Sequence, residues 1–298
     1  MLSKNTKRAL LLINPVSGRK AILRHIPEVV RIFMDTGYLV TVMVTAERRE
    51  AETLAKTYGQ DFDLVVCAGG DGTMNETISG LAAGNVRVPL GYIPCGSTND
   101  FAVSHGLSED IPTAAHEAAT GHVRIYDIGR FGDRYFTYVA AFGAFSSVSY
   151  NTDQNLKNRF GHAAYLMGGL WDLLQLKPTQ LKLTADGAVY EGDFLLGAVC
   201  NTTSIGGTIE LPESLVDPAD GLLELLLVRM PETLVEMDDI VRGLLTQDYS
   251  SPLLELLRVK DITVETEEPL EWSLDGEASG AYKNVHICAL SDFFLLQS

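Results

Sequence analysis

The chain has 298 residues, of which 46% are hydrophobic, and its 39 acidic and 23 basic residues give a formal net charge of −16. This hydrophobic content excludes a wholly disordered chain, and the length allows two domains of ordinary size. Because the negative field would repel a phosphate backbone, the composition also argues against nucleic-acid binding through a broad basic face.

No stretch of the sequence has the pattern of a targeting or membrane-spanning segment. The first apolar run, Ala9 to Ile13, is too short for the core of a signal peptide, and no run reaches the roughly 18 apolar residues of a spanning helix. The absence of a CxxC pair favours buried thiols in a reducing compartment over a structural zinc site. The four cysteines are Cys67, Cys95, Cys200 and Cys288. We therefore expect a cytoplasmic protein, for which contact with the inner face of the membrane stays open.

The first 120 residues alternate strand-like and helix-like segments. Apolar or β-branched runs predict strands at Ala9–Ile13, Tyr38–Thr45, Leu64–Ala68 and Pro89–Pro94. Helical spacing and composition predict helices at Ile22–Phe33, with a kink or restart at Pro27, at Arg48–Tyr58, at Met74–Ala83 and from Gly96 onward. This βαβα rhythm predicts a parallel sheet covered on both faces, in a Rossmann-like three-layer α/β domain.

After about residue 122 the rhythm changes to strands without regular helices between them. The predicted strands are Val123–Arg130, Tyr135–Phe142, Gln180–Ala185, Val189–Asn201, Leu222–Arg229 and Asp261–Thr266, with helical stretches at His162–Leu176 and Pro231–Gln247. Such a pattern is typical of an antiparallel β-sandwich. We expect residues 1–125, completed by the C-terminal segment 288–298, to form the α/β domain and residues 126–287 to form the β-sandwich domain.

The strongest local signal is the turn Gly69-Gly70-Asp71-Gly72-Thr73, which follows a buried strand and opens a helix. Its three glycines let the backbone turn sharply, and the amide groups of the next helix favour a bound phosphate. Asp71 would repel a bare phosphate but could hold a Mg²⁺ that carries phosphates with it. The alternative is a tight strand-to-helix turn in which Asp71 is only a cap.

Two further turns are expected at the same edge of the same sheet. They are Asn14-Pro15-Val16-Ser17-Gly18, after the first strand, and Pro94-Cys95-Gly96-Ser97-Thr98-Asn99-Asp100, after the fourth. Open α/β sheets bind ligands at the carboxyl ends of their strands. The three turns together predict a phosphate-binding crevice, and since neither GxxxxGK[ST] nor GxGxxG occurs, it is not of the P-loop type.

These motifs resemble those of the diacylglycerol kinase and lipid kinase family, which is related to the sphingosine kinases, and the soluble bacterial branch is the most similar. The resemblance covers nearly the whole chain. It rests on the segments Asn14–Gly18, Gly69–Glu76, Pro94–Phe101, Asn201 followed by Gly206-Gly207, Asp220-Gly221-Leu222 and Asp275-Gly276-Glu277. The bare GGDG turn is shared with NAD kinases and 6-phosphofructokinases. Ser97 stands where many members have threonine, and it keeps the hydroxyl.

The resemblance implies a set of nucleotide-binding residues for ATP. They are Asn14, Pro15, Ser17, Gly18, Thr45, Gly69, Gly70, Asp71, Gly72, Thr73, Asn75, Glu76, Thr98 and Asn99. It also implies three catalytic residues. Glu277 is the general base, and Asp71 acts through Mg²⁺ or holds the geometry of the site. Asp275 orients a metal-bound water or supports Glu277. From the residues alone, Asp275-Gly276-Glu277 is predicted to be a turn at the end of a strand that exposes two carboxylates. The alternative is an ordinary surface turn with no catalytic role.

A second metal site is implied by resemblance in the segment Asp217-Pro218-Ala219-Asp220-Gly221-Leu222. Family members bind a structural Mg²⁺ at the matching place through one aspartate and neighbouring backbone oxygens, which are the hard ligands that Mg²⁺ prefers. The implied ligands are Asp217, Asp220 and the carbonyl of Leu222. The alternative is a simple β-turn before the next strand.

The resemblance implies an ATP- and Mg²⁺-dependent lipid kinase that acts at a membrane surface in phospholipid biosynthesis. Its expected acceptor is diacylglycerol, giving phosphatidic acid, while sphingoid bases, other glycerolipids and polyprenols stay open. A kinase resembling NAD kinase and a non-catalytic nucleotide sensor are the alternatives. Family members often dimerise through the second domain, which leaves a homodimer open. An apolar stripe around Trp171, flanked by Lys157, Arg159 and Lys177, is either core or a lipid entrance.

Overall fold

A computed structural model describes residues 6–18, 22–97, 99–143, 178–205 and 209–298. The chain divides into two compact units. The first contains the residues up to Tyr126 together with Asp292–Ser298, and the second contains Asp127–Ser291. Within the described ranges, no helix combines the length and hydrophobicity that a membrane crossing requires.

The first unit is built on a parallel sheet. Its strands are β1 (Lys7–Ile13), β2 (Tyr38–Val44), β3 (Leu64–Gly69), β4 (Pro89–Pro94) and the end of the last strand of the chain. They lie in the order β2, β1, β3, β4, last strand, and the last pairing joins Leu295 to Pro89 and Leu296 to Leu90. Every residue of β3 is buried, as expected for a strand covered on both faces.

Helices cover both faces of this sheet. They are α1 (Ile22–Asp35), α2 (Glu50–Tyr58) followed by a single 3₁₀ turn (Gly59–Asp61), α3 (Asp71–Ala83), α4 (Asp100–Ser104) and α5 (Ile111–Thr120). Buried residues of α1 and α5 pack with alternate residues of β1 and β3 in one core cluster. Because successive strand residues point to opposite faces, the residues between them face the other helical layer.

The second unit is an antiparallel β structure. Its strands are β5 (Val123–Phe131), which begins in the first unit, β6 (Arg134–Phe136), β7 (Val139–Gly143), β8 (Thr179–Ala185), β9 (Ala188–Cys200), β10 (Ser204–Ile205), β11 (Ile209–Glu210), β12 (Leu223–Arg229), β13 (Leu254–Val259), β14 (Asp261–Leu274) and β15 (Glu277–Gln297), which ends in the first unit. The sheet order β13, β12, β9, β7, β14, β15 is joined by β8, which pairs with both β9 and β14.

The two faces of this antiparallel sheet bury different clusters. Along β12, Leu223, Leu225 and Leu227 enter one core cluster, while Leu226 and Val228 enter a second. The helix α6 (Leu234–Thr246) contributes Met237 and Ile240 to that second cluster and begins with a capping box at Thr233. The predicted fold class, an α/β domain plus an antiparallel β-sandwich, is confirmed.

Two of the differences between the predicted elements and the structure concern the candidate site. Helix α3 begins at Asp71 rather than at Met74, because Gly70 is its N-cap and the Met74 amide already donates to the Gly70 carbonyl at 3.0 Å. The predicted strand Tyr135–Phe142 is two strands, β6 and β7, interrupted at Thr137 and Tyr138. The Asp275 carboxylate, far away in sequence, binds the amides of that interruption.

Candidate functional site

The turns after β1 and β3 are joined by two side-chain hydrogen bonds. The Asn14 amide nitrogen donates to the Thr73 hydroxyl at 2.9 Å, and the Gly70 backbone amide donates to the Ser17 hydroxyl at 3.2 Å. The Asn14 amide oxygen also accepts from the Val16 backbone at 3.1 Å, which holds the first turn in shape. The structure therefore brings these two predicted turns together at the start of α3.

The turn after β4 joins the same edge. The Cys95 amide donates to the Gly69 carbonyl at 2.7 Å, which continues the strand pairing into the turns. One oxygen of the Asp71 carboxylate accepts from the Phe101 backbone amide at 3.0 Å. Asp71 thus links the first turn of α3 to the start of α4.

Glycines permit this close approach of backbones. A Cβ on Gly18, which has a φ of +50°, would lie 2.4 Å from the Cys95 carbonyl oxygen. A Cβ on Gly96 would lie 2.8 Å from the Cα of Gly70. Any side chain at these positions would force the turns apart, so the three turns form one surface only with glycine here.

The resulting surface has the chemistry of an anion site. The first amides of a helix have no acceptor within the helix and carry the positive end of its dipole. Helix α3 is 13 residues long, and its first turn contains Asp71, Gly72 and the buried Thr73. With the backbone amides of the neighbouring turns, this end of α3 can bind a phosphate group.

Asn99 lies in the left-handed region with a φ of 56° and is buried. Its amide oxygen accepts from the Gly96 backbone at 2.8 Å, and its amide nitrogen donates to the Glu109 carboxylate at 3.0 Å. Sequence reasoning missed Glu109, which comes ten residues later in a polar segment without a motif. Glu109 orients the Asn99 side chain and so holds the β4 turn in shape.

The other predicted nucleotide residues have different surroundings. Thr45 is buried just after β2, and its hydroxyl donates to the Ile13 carbonyl at 3.4 Å. Glu76 accepts from the Arg49 backbone amide at 2.9 Å. Pro15 and Asn75 are half-buried. Thr98 lies outside the described residues.

An aromatic stack supports the start of α4. The His105 ring lies 4.1 Å from the Phe101 ring in a stacked arrangement and meets the Tyr126 ring edge-on at 4.8 Å. Its Nδ1 lies 2.9 Å from the Phe101 carbonyl oxygen. Burial lowers the pKa of His105 below its usual 6.5, and the charge of Arg124 acts in the same direction, against the hydrogen bond to Phe101. Phe101 is thus held through both its amide and its carbonyl.

In the second unit, Asp275 and Glu277 have opposite surroundings. The turn between β14 and β15 contains Asp275 and Gly276, both with positive φ, and Glu277 is an exposed first residue of β15 paired with Leu274. The prediction that this turn exposes two carboxylates is therefore wrong for Asp275, whose carboxylate is directed into the protein.

The Asp275 carboxylate binds the interruption between β6 and β7. One oxygen accepts from the Thr137 amide at 2.8 Å and hydroxyl at 3.0 Å, and the other accepts from the Tyr138 amide at 2.8 Å and the Val139 amide at 3.0 Å. Burial raises the pKa of Asp275, and these hydrogen bonds oppose the rise. The carboxylate thus ties the turn that precedes Glu277 to the interruption between β6 and β7.

The predicted metal ligands lie in an exposed turn before β12. An Asp217 oxygen accepts from the Ala219 amide at 3.1 Å, and an Asp220 oxygen accepts from the Leu222 amide at 2.9 Å. The second Asp220 oxygen forms an ion pair with Arg258. Asp220 would have to share that oxygen with a metal ion.

Two buried polar side chains lie beside this turn, of which Asn201 belongs to a motif of the family resemblance and Glu224 was missed by the sequence reasoning. Glu224 is 0% exposed, and neither of its carboxylate oxygens has a hydrogen-bond partner in the part of the chain that the structure describes. The amide oxygen of Asn201, whose amide nitrogen donates to the Asp127 carbonyl at 2.9 Å, is likewise buried and unpartnered among the described residues. Burial raises the pKa of Glu224 to about 7, against the effect of its own backbone amide and with a further contribution from the charge of Asp217. The sequence signal was a single acid in Leu222-Leu-Glu-Leu-Leu-Leu227.

Some of the predicted sites cannot be tested on the described residues. There, no three His, Cys, Asp or Glu side chains are grouped closely enough to hold a metal by themselves. The Gly206-Gly207 pair, the helical stretch His162–Leu176 and the apolar stripe around Trp171 lie outside the described residues. The four cysteines are free thiols, and Cys67, Cys95 and Cys200 are buried.

Comparison with known proteins gives matches over almost the whole chain. A family model described as the diacylglycerol kinase catalytic domain matches residues 8–131, and one described as the YegS C-terminal NAD kinase beta sandwich-like domain matches residues 139–289. Relatives include the diacylglycerol kinase of Bacillus subtilis, 32% identical over 94% of this chain and 96% of its own length, and that of Staphylococcus saprophyticus, 33% identical over 92% and 90%.

A solved structure agrees with these matches. The crystal structure of a diacylglycerol kinase from Bacillus anthracis superposes with a TM-score of 0.76 at 26% identity, covering 99% of this chain and 98% of that one. The resemblance inferred from the motifs is confirmed by these matches.

Proposed function

Because the chain belongs to the diacylglycerol kinase family and is therefore a kinase, we propose that it transfers the γ-phosphoryl group of ATP to a lipid hydroxyl, with diacylglycerol as the acceptor and phosphatidic acid as the product. The observation that carries the proposal is the junction of three glycine-rich turns at the N-terminus of α3. Such a junction supports the binding of several phosphate groups by backbone amides.

The nucleotide would be held mainly by backbone groups of the first unit. The amides of Gly72 and Thr73 would face the phosphates, while Ser17, which accepts from the Gly70 amide, and Asn14 would fix the neighbouring turn. Asp71 and Asn99 are positioning residues, because their side chains bind backbone amides of the β4 turn and α4. Catalysis of phosphoryl transfer depends on such positioning and on neutralisation of the phosphate charge.

In the transfer step, the acceptor oxygen forms a bond to the γ-phosphorus. The bond between that phosphorus and the β–γ bridging oxygen breaks, and ADP leaves. The hydroxyl proton passes to the Glu277 carboxylate, which acts as general base. Its exposed position at the start of β15 supports this role, since a base must reach a lipid held at a membrane surface. Asp275 keeps Glu277 in place by fixing the turn before it.

Magnesium would serve in two places. Bound with ATP near Asp71, it would neutralise charge on the transferred phosphoryl group. At the second place, the ligands would be Asp217, Asp220 and the Leu222 carbonyl. The donor set is chemically suitable, because all three offer oxygen atoms. The unpartnered buried oxygens of Glu224 and Asn201 beside the same turn also support a cation there.

The proposal is tested by phosphate transfer from labelled ATP to lipids in mixed micelles with Mg²⁺. The panel contains diacylglycerol, monoacylglycerol, ceramide, sphingosine, phosphatidylglycerol and undecaprenol, with NAD as a soluble acceptor. We expect label in diacylglycerol. Glu277→Gln should lower kcat about 100-fold or more, because general-base catalysis contributes about 10²–10⁴-fold.

The matched control is Glu268→Gln, which makes the same change at an exposed glutamate of β14. It should leave kcat within about twofold of the wild type. Label in NAD alone would replace the proposal by a soluble-acceptor kinase. Label in a different lipid would keep the reaction type and change the acceptor. Nucleotide binding without transfer to any acceptor would favour a nucleotide sensor.

A further inference from the structure

Glu224 is a charged residue in a strand of leucines. Its neighbours in β12 are Leu223 and Leu225, and all three are 0% exposed. In the ladder, Glu224 lies opposite Cys200 of β9 and Arg258 of β13. An ionised carboxylate at such a position is strongly unfavourable unless a hydrogen bond or an opposite charge compensates it.

Compensation from the described protein groups is weak, because the only favourable one is the backbone amide of Glu224 itself, which lowers its pKa but does not meet hydrogen-bond geometry. Neither carboxylate oxygen of Glu224 has a hydrogen-bond donor in the described ranges. Arg258, at the facing position of β13, forms its ion pair with Asp220 instead. The nearby charge that acts on Glu224 is that of Asp217, another carboxylate, which adds repulsion.

A second unpartnered oxygen lies against the same turn. The Asn201 amide nitrogen donates to the carbonyl oxygens of Asp127, at 2.9 Å, and Pro218, at 3.4 Å. These bonds fix which way round the amide lies, and they leave its oxygen, in a side chain only 7% exposed, without a donor. Pro218 is the residue next to Asp217, so Asn201 and Glu224 both approach the segment that begins at Asp217.

A buried acceptor oxygen without a protein donor is satisfied by a proton, a water or a cation, and a carboxylate beside an amide oxygen suits a cation. Mg²⁺ prefers hard oxygen ligands and keeps several of its waters, so one or two carboxylates with an amide oxygen are enough. We propose that Glu224 is a buried anchor of the divalent-cation site at the Asp217–Leu222 turn, with the Asn201 amide oxygen as a second buried donor. The inference builds on the Mg²⁺ site of the proposed function and adds the side chains that hold the ion from the interior.

The test measures metal binding rather than activity. Protein freed of metal with EDTA is titrated with MgCl₂ or CaCl₂ and followed by calorimetry and by the melting temperature, with NaCl at matched ionic strength as the control for screening. A wild-type melting temperature that rises with MgCl₂ and not with NaCl is expected. A wild type that binds neither Mg²⁺ nor Ca²⁺ would overturn the inference, and a protonated Glu224 would then explain the burial.

Substitutions then identify the ligands. Glu224→Gln should weaken Mg²⁺ binding at least tenfold, and the metal-free variant should melt higher than metal-free wild type because a buried charge is gone. Glu224→Asp keeps a carboxylate and should retain part of the metal response. Glu213→Gln, an exposed residue of the same loop, is the matched control and should bind Mg²⁺ like the wild type.

The outcomes separate this inference from the proposed function. If Asp220→Asn loses Mg²⁺ binding while Glu224→Gln binds normally, the turn binds metal without Glu224 and the inference is wrong. If both variants lose binding, the two ligand sets belong to one site. Lipid phosphorylation by the wild type is measured separately, so a failure of the kinase proposal appears as absent transfer with the metal response intact.

Discussion

Replacing Asp275 by asparagine preserves the size of the side chain but exchanges one acceptor oxygen for an NH₂ donor. The wild-type carboxylate accepts four hydrogen bonds of 2.8 to 3.0 Å from Thr137, Tyr138 and Val139. An amide cannot accept all four. The substitution therefore tests whether Asp275 acts by holding the interruption between β6 and β7 in shape.

The expected loss of folding stability is derived for the more favourable of the two orientations of the asparagine amide. If the new NH₂ faces Thr137, the hydroxyl can rotate to accept from it, and only the Thr137 amide loses its acceptor, at about 1–3 kcal/mol. The amides of Tyr138 and Val139 keep an acceptor, but a neutral one, and lose about 1 kcal/mol each. Removing a carboxylate whose pKa is raised by burial offsets part of this loss. We expect a net loss of about 3 kcal/mol.

The assay is urea unfolding followed by near-ultraviolet circular dichroism, together with the melting temperature. A loss of about 3 kcal/mol corresponds to a fall of roughly 6–12 °C for a unit of this size. Asp133→Asn makes the same charge change at an exposed residue of the neighbouring β5–β6 turn and should change stability by less than about 0.5 kcal/mol. Wild-type stability of Asp275→Asn, combined with lost transfer activity, would refute the positioning role and indicate direct participation in the chemistry.

Two further changes test the first unit. Gly18→Ala should raise the KM for ATP at least tenfold, since the new Cβ would lie 2.4 Å from a carbonyl oxygen of the β4 turn. Gly106→Ala is the control, because Gly106 also has a left-handed φ but lies in open space. It should cause similar backbone strain and leave the KM for ATP unchanged. As the pH falls below about 6.5, unfolded chains take up a proton that folded His105 resists, so stability should decrease on acidification. His105→Phe should show a smaller loss of melting temperature between pH 7 and pH 5, and an unchanged loss would contradict this reasoning.

Much of the first unit follows from local sequence signals. Short apolar runs identified the strands β1 to β4 within one or two residues, because strands covered on both faces contain almost no polar residues. Parallel strands place their carboxyl ends at one edge, so the sequence also indicated that Gly18, Gly70 and Gly96 would lie near one another. The start of α3 was missed, because Asp71 is the more usual capping residue and the N-cap is Gly70.

In the second unit, features that depend on contacts between distant residues could not be predicted from the sequence. The break between β6 and β7 depends on Asp275, which comes 138 residues after Thr137, and no residue near Thr137 in the sequence indicates this break. The expected exposure of the Asp275 carboxylate was wrong for the same reason, because the direction of a side chain in a turn depends on partners that the neighbouring sequence does not show.

Sequence alone thus determined the family motifs, the order of the two domains and the convergence of the three glycine-rich turns, because each depends on residues close together in the chain or on the fixed geometry of parallel strands. Tertiary structure decided which carboxylates are exposed. Glu277 faces solvent, Asp275 binds a distant turn, and Glu224 is buried by the pairing of β12 with β9 and β13. The physical reason is that the burial and pairing of a charged side chain depend on groups that folding brings to it from elsewhere in the chain.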